Sequence, residues 1–276
     1  MREPKGPVKA LGKAMELLEL LLRERRPLSL QELCVRSGYP KSTAHALLTT
    51  LREYQMIAQD PDGRYRLGIR LYECGCAVSA LWDVRRVAHP FLEQLAQALG
   101  AGVFLAVRSG DHAVSIDACA ASSGSGLQVS AETGTPLPLH ATAQGKLFLA
   151  AASEQEVRRY CRMVGLRPYT RHTLSSSEEL TAALAAVRQQ GFALEDGEYK
   201  VGLRAVAAPV WDADGTLSCA LGAVGLFPRV QSEEFQQAVA RTVDAAARLS
   251  AALGYREPPK SGQMNPLTQG GVSVGG

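Results

Sequence analysis

The sequence predicts an α+β protein in two parts, an N-terminal winged helix-turn-helix and a larger domain built on an antiparallel sheet. The first 67 residues show helical periods, turn signals and a hairpin in the order helix, short helix, tight turn, helix, hairpin. Beyond residue 100, strand-like and helical runs are mixed, which is typical of α+β domains. The charge distribution supports this division, because residues 1–66 carry a net +4 and the rest of the chain carries −1.

The composition is that of an ordinary globular protein, with 46% hydrophobic and 21% charged residues. No apolar run approaches the roughly 18 residues of a membrane helix, and the N-terminal MREPKGPVK lacks the pattern of a signal peptide. The six cysteines form no CxxC pair, so we expect reduced thiols and a cytoplasmic location. The basic first quarter fits an anionic partner such as nucleic acid, although so small an excess is also typical of a solvated surface.

The first two helices are predicted by periodicity and capping. Apolar side chains at spacings of four, three and four form one helical stripe over residues 8–24. These side chains are Leu11, Met15, Leu18 and Leu22. Pro27 follows the helix, and Ser29 with Glu32 then forms a Ser-x-x-Glu capping box. The box predicts a short second helix that runs to about residue 37.

A sharp turn, a third helix and a hairpin complete the N-terminal pattern. Gly38 can adopt the left-handed C-cap conformation, and Pro40 can begin the next helix without its missing N–H. The third helix is expected over 41–54. Short strands at 56–58 and 65–67 flank the Asp-Pro-Asp-Gly of residues 60–63, which is a β-turn signal. This order of elements is that of a winged helix-turn-helix.

The third helix has two contrasting faces. The inner face is apolar and is expected to pack on the first two helices through Ala44, Leu47, Leu48 and Leu51. The outer face is short-chained and polar and carries no acid, as entry into the major groove requires. The candidate DNA contacts are Lys41, Ser42 and Thr43 to phosphates, His45, Ala46 and Thr49 to base edges, and Arg64 at the hairpin tip. Alternatively, the face is only solvated, Ser42 and Thr43 are capping residues, and Arg64 is merely exposed.

The remaining chain divides into a helical linker, a sheet domain and a tail. A mostly helical pattern covers 67–100, with a break near 80–83. Strands are expected at 102–108, 112–119, 192–196, 203–211 and 217–227. Helices are expected at 140–150, 153–163, 176–190 and 231–253. The predicted boundaries are 1–67 for the winged helix-turn-helix, 68–82 for the linker, 83–254 for the larger domain and 255–276 for a disordered tail.

Three ordered motifs resemble those of the IclR family of bacterial transcriptional regulators. The first is LSLQELCVRSGYPKSTAHALLTTL at 28–51, followed by YRLG at 65–68. The second is PLHATAQGK at 138–146, and the third is GFALEDGE at 191–198 with further matches over 202–212. The resemblance extends over roughly residues 8–250. A short Lys-Ser-Thr segment alone would be much less specific.

This resemblance implies a transcription factor, acting as a repressor or an activator, whose DNA binding responds to a small molecule. It implies dimerisation through the N-terminal region and often a dimer of dimers, a homotetramer, on a palindromic double-stranded operator. It also implies an effector-binding domain similar to GAF and profilin-like sensors. The effector would lie between the sheet and the PLHATA segment.

The resemblance also identifies candidate effector contacts. In family members that bind small polar acids, the contacting positions correspond here to Ala143, Gln144, Glu195, Ala205, Gly222 and Val224, and His140 is a further candidate. Several hydroxyl or thiol groups of those members are replaced by methyl groups or hydrogen. We therefore expect a larger or more apolar carboxylate, including aromatic ones. Alternatively, His140 bonds only its own loop, and Glu195 is an exposed acid at a strand end.

A catalytic function finds little support in the motifs. The chain has no GxSxG elbow, and Gly145-Lys146 lacks the other residues of a phosphate-binding loop. The histidines are far apart in sequence and form no HExxH pair. We therefore expect no enzyme activity, no cofactor and no metal. Two alternatives stay open: the larger domain serves only for oligomerisation, or it is an enzyme built on a sensor-like domain.

Overall fold

The computed structural model describes residues 8–81, 83–120 and 133–256, and the chain divides near residue 83 into two compact units. We call residues 8–81 the winged-helix unit and residues 84–256 the sheet domain. The predicted linker contains a helix, and most of the predicted tail lies outside the described residues. Across the described ranges, no helix is long and apolar enough to cross a membrane.

The winged-helix unit has the predicted order of elements. Its elements are α1 (Lys9–Glu24), α2 (Leu30–Ser37), α3 (Lys41–Glu53), β1 (Ile57–Gln59), β2 (Tyr65–Leu67) and α4 (Ile69–Leu81). The capping box forms as predicted: Ser29 accepts from the Glu32 N–H, and Glu32 accepts from the Ser29 N–H. Gly38 ends α2 with φ of 73°, a left-handed conformation that glycine adopts without steric cost.

Helix α1 packs through a different face from the predicted stripe. Helix α1 packs on α2 and α3. Its buried side chains are Ala14, Leu17, Leu18 and Leu21. Of the predicted stripe only Leu18 is buried, whereas Leu11, Met15 and Leu22 are at least half exposed. Two adjacent apolar stripes therefore run along α1 and share Leu18. The inner one includes an alanine, which a search for large side chains overlooks.

The sheet domain is built on a six-stranded antiparallel sheet with strand order β5-β4-β3-β8-β7-β6. Its strands are β3 (Gly102–Ser109), β4 (His112–Cys119), β5 (Pro136–Pro138), β6 (Ala193–Asp196), β7 (Arg204–Trp211) and β8 (Leu217–Gly225). Its helices are α5 (Asp83–Leu99), α6 (Ala143–Ala151), α7 (Glu154–Met163), α8 (Ser177–Gln190) and α9 (Glu233–Ala252). Sequence reasoning missed β5, a three-residue edge strand whose two prolines are tolerated only at an edge.

The two faces of the sheet are covered by different helices. Helices α5 and α9 pack on a face rich in Val and Leu, whereas α6, α7 and α8 pack on a face of small side chains, among them Ala106, Ala207 and Ala220. Small residues let α6 approach the strands closely. At Gly145 an added Cβ would lie 2.4 Å from the Cα of Leu139, so this position of α6 requires glycine. The alanine face and α6 together define the ligand site described below.

Candidate nucleic-acid interface and ligand site

Helix α3 presents the acid-free outer face that its sequence predicts. Lys41, Ser42, His45 and Ala46 are exposed, and Thr43 and Thr49 are half-buried. The inner residues Ala44, Leu48 and Leu51 are buried, and Leu47 is partly buried against the same core. The N-cap of α3 is Pro40, and no side chain caps the helix. Ser42 and Thr43 are therefore not capping residues, which removes one alternative explanation for their hydroxyls.

The arginine at the tip of the wing is already paired within the protein. Arg64 contacts Glu32 on α2 at 3.2 Å and Asp62 in the same turn at 3.2 Å. Glu32 is ionised, because the Ser29 N–H and the Arg26 guanidinium lower its pKa to about 2. The pairing holds the wing against the start of α2. An Arg64 contact to DNA would have to replace these surface ion pairs, which are weak in water.

The sheet register brings four of the candidate effector residues onto one face. Glu195 of β6 pairs with Ala205 of β7, which pairs with Val224 of β8. One row further along, Gly222 pairs with Ala207 on one side and with Phe104 of β3 on the other. Directly paired residues of antiparallel strands share a face. Phe104, which sequence reasoning did not identify, is therefore part of this surface and is buried.

Gln144 reaches from α6 across the sheet to Gly222. An added Cβ at Gly222 would lie 2.3 Å from Nε2 of Gln144, so the amide fills the space that a side chain there would occupy. Gln144 is only 5% exposed, and the hydrogen bonds found among the described residues include none to its amide. A side-chain amide can both donate and accept hydrogen bonds, so this one can serve a ligand held against the sheet.

Glu195 is buried on the same face of the sheet as Gly222, over which the Gln144 amide lies. Its Oε1 accepts a hydrogen bond from the Tyr199 N–H at 3.1 Å, and the Ala143 N–H lies close enough to lower its pKa. Burial raises the pKa of Glu195 to about 7, although these N–H groups and the nearby Lys146 act in the opposite direction. The alternative interpretation of Glu195 as an exposed acid is wrong, because the strand end lies under the start of α6.

A buried ion pair lies next to Glu195. The Lys146 ammonium contacts Oε1 of Glu198 at 2.5 Å, and both side chains are almost completely buried. Oε2 of Glu198 is buried without a hydrogen-bond partner in the described part of the chain. Sequence reasoning missed this pair, although Lys146 ends the second motif and Glu198 ends the third. The sequence did carry one signal for this pair, because a basic and an acidic residue end two separate motifs of the family resemblance.

His140 is bonded on both sides within the protein. Its Nδ1 lies 2.8 Å from the Tyr160 hydroxyl and its Nε2 lies 3.0 Å from the Arg167 carbonyl. Because a carbonyl only accepts, we assign the proton to Nε2, and the Tyr160 hydroxyl then donates to Nδ1. Burial lowers the pKa of His140, which favours this neutral form. A direct ligand contact by His140 stays a prediction and would have to replace one of these bonds.

The fold and the two sites define a DNA-binding regulator, in which a winged helix-turn-helix is joined to a sheet domain with a buried polar site. The model for the IclR helix-turn-helix domain matches residues 10–61, and that for the bacterial transcriptional regulator IclR C-terminal matches residues 76–251. The chain therefore belongs to the IclR family of transcriptional regulators. Members of this family are generally not enzymes. Within the described ranges, no group of His, Cys, Asp and Glu is arranged to hold a metal ion.

Individual relatives cover almost the whole chain. The regulator XynR of Escherichia coli (strain K12) is 33% identical over 250 residues, which are 90% of this chain and 98% of that protein. The transcriptional repressor IclR of the same strain is 31% identical over 252 residues, 90% of this chain and 91% of that protein.

Solved structures show the same fold. An IclR-family regulator from Alicyclobacillus acidocaldarius has a TM-score of 0.76 at 31% identity and covers 90% of this chain and 100% of its own. An IclR homolog from Microbacterium hydrocarbonoxydans, solved in complex with 4-hydroxybenzoate, has a TM-score of 0.74 at 24% identity, with coverages of 89% and 99%.

Proposed function

We propose that this regulator binds a carboxylate effector in the sheet domain and that the effector changes its affinity for an operator. The observation that carries this proposal is the amide of the largely buried Gln144, which lies against the bare backbone of Gly222. An effector that accepts a hydrogen bond from Nε2 would satisfy this amide. Glu195 lies on the same face and supplies a second polar contact.

The surface around these polar groups favours an effector larger or more apolar than a two- or three-carbon oxoacid. The chemistry of this surface is apolar. It consists of the methyl group of Ala205, the isopropyl group of Val224 and the phenyl ring of Phe104, while Gly222 has no side chain. Such a surface gains free energy by covering apolar carbon, at about 25 cal/mol per Å². Aromatic acids fit this chemistry. The relative from Microbacterium hydrocarbonoxydans in complex with 4-hydroxybenzoate is consistent with this class of ligand.

Titration calorimetry with a panel of acids tests the effector class. We expect benzoate, 4-hydroxybenzoate or phenylacetate to bind at least about tenfold more tightly than pyruvate or glyoxylate, because burying a ring against apolar side chains contributes more than 1.4 kcal/mol. Gln144→Ala should weaken that binding by about tenfold or more, since a hydrogen bond to a charged group is lost. Tight binding of pyruvate or glyoxylate alone would contradict the proposed class.

For the DNA interface we propose contacts from Lys41, Ser42 and Thr43 to phosphates, and from His45, Ala46 and Thr49 to base edges. Arg64 would contact the backbone or minor groove after leaving its acidic partners. The support is the exposed, acid-free face of α3. Thr49 already donates its hydroxyl to the His45 carbonyl, so it would offer DNA a methyl group and an acceptor.

We further propose that the chain acts in the cytoplasm as a homodimer, or as a dimer of dimers, on a palindromic site. The exposed apolar stripe of α1 supports dimerisation through the winged-helix unit, because an exposed apolar patch is typical of an interface. Its members are Val8, Leu11, Met15 and Leu22, each at least half exposed. Two α3 helices related by a twofold axis would reach half-sites about one helical turn apart.

A further inference from the structure

Glu195 is a buried carboxyl that has no cation of its own. Lys146 is the cation whose charge lowers the pKa of Glu195, but its ammonium is in contact with Glu198 at 2.5 Å. Within the described chain, no Lys, Arg or His forms an ion pair with Glu195, whose hydrogen bond comes from the Tyr199 N–H. An ionised Glu195 is therefore stabilised by backbone N–H groups and, without direct contact, by Lys146.

The two charged groups that act on Glu195 itself, Lys146 and Glu198, pair with each other. On α6, Lys146 is offset by Glu198 of the β6–β7 connection. Burial raises the pKa of Tyr199 in the same connection and lowers that of His140 before α6, so both are neutral near pH 7. An anionic ligand in this site would meet Glu195 as a second uncompensated negative charge, and two carboxylates sharing a buried site cannot easily both ionise.

We propose that the site binds its acid as the anion together with one proton, which Glu195 takes from solvent and donates to a ligand carboxylate oxygen. This inference rests on the proposed carboxylate effector and adds a regulatory property, since the response to the effector becomes dependent on pH. No covalent bond forms or breaks in the ligand. Glu195 becomes an O–H donor, the ligand oxygen accepts, and the pair carries one negative charge in place of two.

The direction of the pH dependence follows from the protonation of the free site. Burial raises the pKa of Glu195 to about 7, so below pH 7 the free site already holds the proton and binding requires no further uptake. Above pH 7 the free carboxyl is ionised, and each binding event must capture a proton. By linkage, the affinity for the acid then falls by about tenfold per pH unit.

Calorimetry at pH 6 and pH 8 tests this proposal with benzoate, 4-hydroxybenzoate, phenylacetate, pyruvate and glyoxylate, each fully ionised at both values. For the acid that binds, we expect binding about tenfold weaker at pH 8 than at pH 6. Titrations in two buffers of different ionisation enthalpy should show an uptake approaching one proton per site at pH 8. Glu195→Gln should bind with the same affinity at both pH values, because its amide donates without titrating. Glu178→Gln, an exposed neutralisation in the same domain, should keep the wild-type dependence.

Wild-type binding that is equal at pH 6 and pH 8 with no proton uptake would overturn the proposal and leave the carboxylate effector standing. Retention of the wild-type pH dependence by Glu195→Gln would also overturn it, by assigning the proton to another group. If none of the five acids binds at either pH, the proposed effector class fails and this inference fails with it. The proton uptake of the wild-type protein decides the question even if the variant does not fold.

Discussion

Lys146→Met is expected to lower the free energy of unfolding of the sheet domain by about 3–5 kcal/mol, the usual cost of removing one member of a buried ion pair. Methionine preserves much of the shape of the lysine stem, so the loss is mainly electrostatic. Glu198 would keep a buried charge without a cation, and its Oε2 already lacks a partner among the described residues. Guanidinium unfolding followed by tryptophan fluorescence measures the effect, since Trp211 is buried in the sheet.

A double variant separates this cause from a packing defect. Lys146→Met combined with Glu198→Met removes both charges, and we expect it to recover more than half of the loss because an apolar pair often replaces a buried ion pair without penalty. Arg158→Met is the matched control, since its pair with Glu154 is exposed and should contribute less than about 1 kcal/mol. If the double variant lost as much free energy of unfolding as the two single variants together, this explanation would be contradicted.

Ala46→Glu is expected to weaken operator binding by at least about 100-fold without reducing the stability of the winged-helix unit. The side chain lies in the middle of the exposed outer face of α3, so the fold tolerates a longer residue there. In a complex, the new carboxylate would face phosphates and the acceptor-rich edges of the bases, and it would be repelled. Fluorescence anisotropy with an operator duplex measures the change.

The matched control for this variant is Ala186→Glu. Ala186 is an exposed helical alanine on α8 of the sheet domain, so the substitution adds the same charge and the same side chain away from the proposed interface. We expect it to change operator affinity by less than about threefold, since it leaves the α3 face unchanged and exposed charges are screened by salt. Equal affinities of the two variants for the operator would show that α3 does not enter the groove.

Local signals in the sequence predict the secondary structure well. The capping box of Ser29 and Glu32, the glycine at the end of α2 and the apolar period of α3 each depend on residues a few positions apart, and the structure forms all three. Edge strand β5 was missed because a three-residue strand with two prolines has no alternation to detect. The apolar stripe predicted for α1 is not the one that packs, because two such stripes overlap there.

The ligand site depends on contacts that sequence spacing cannot reveal. Lys146 and Glu198 are 52 positions apart and meet only because α6 lies over the β6–β7 connection. Gln144 and Gly222 come together because α6 also packs on β8. Family resemblance identified several of these positions, but it could not show that the glutamine amide occupies the space above the glycine or that Glu195 is buried.

Operator binding measured with and without effector tests the central claim most directly. Anisotropy titrations should use duplexes from the region upstream of the gene, at several salt concentrations, with the acid that binds in calorimetry. We expect salt-sensitive binding, a change of at least about fivefold in affinity when the acid is added, and loss of that change in Glu195→Ala with operator affinity retained. Absence of salt-sensitive binding to any upstream duplex, or identical affinities with and without bound acid, would contradict the account.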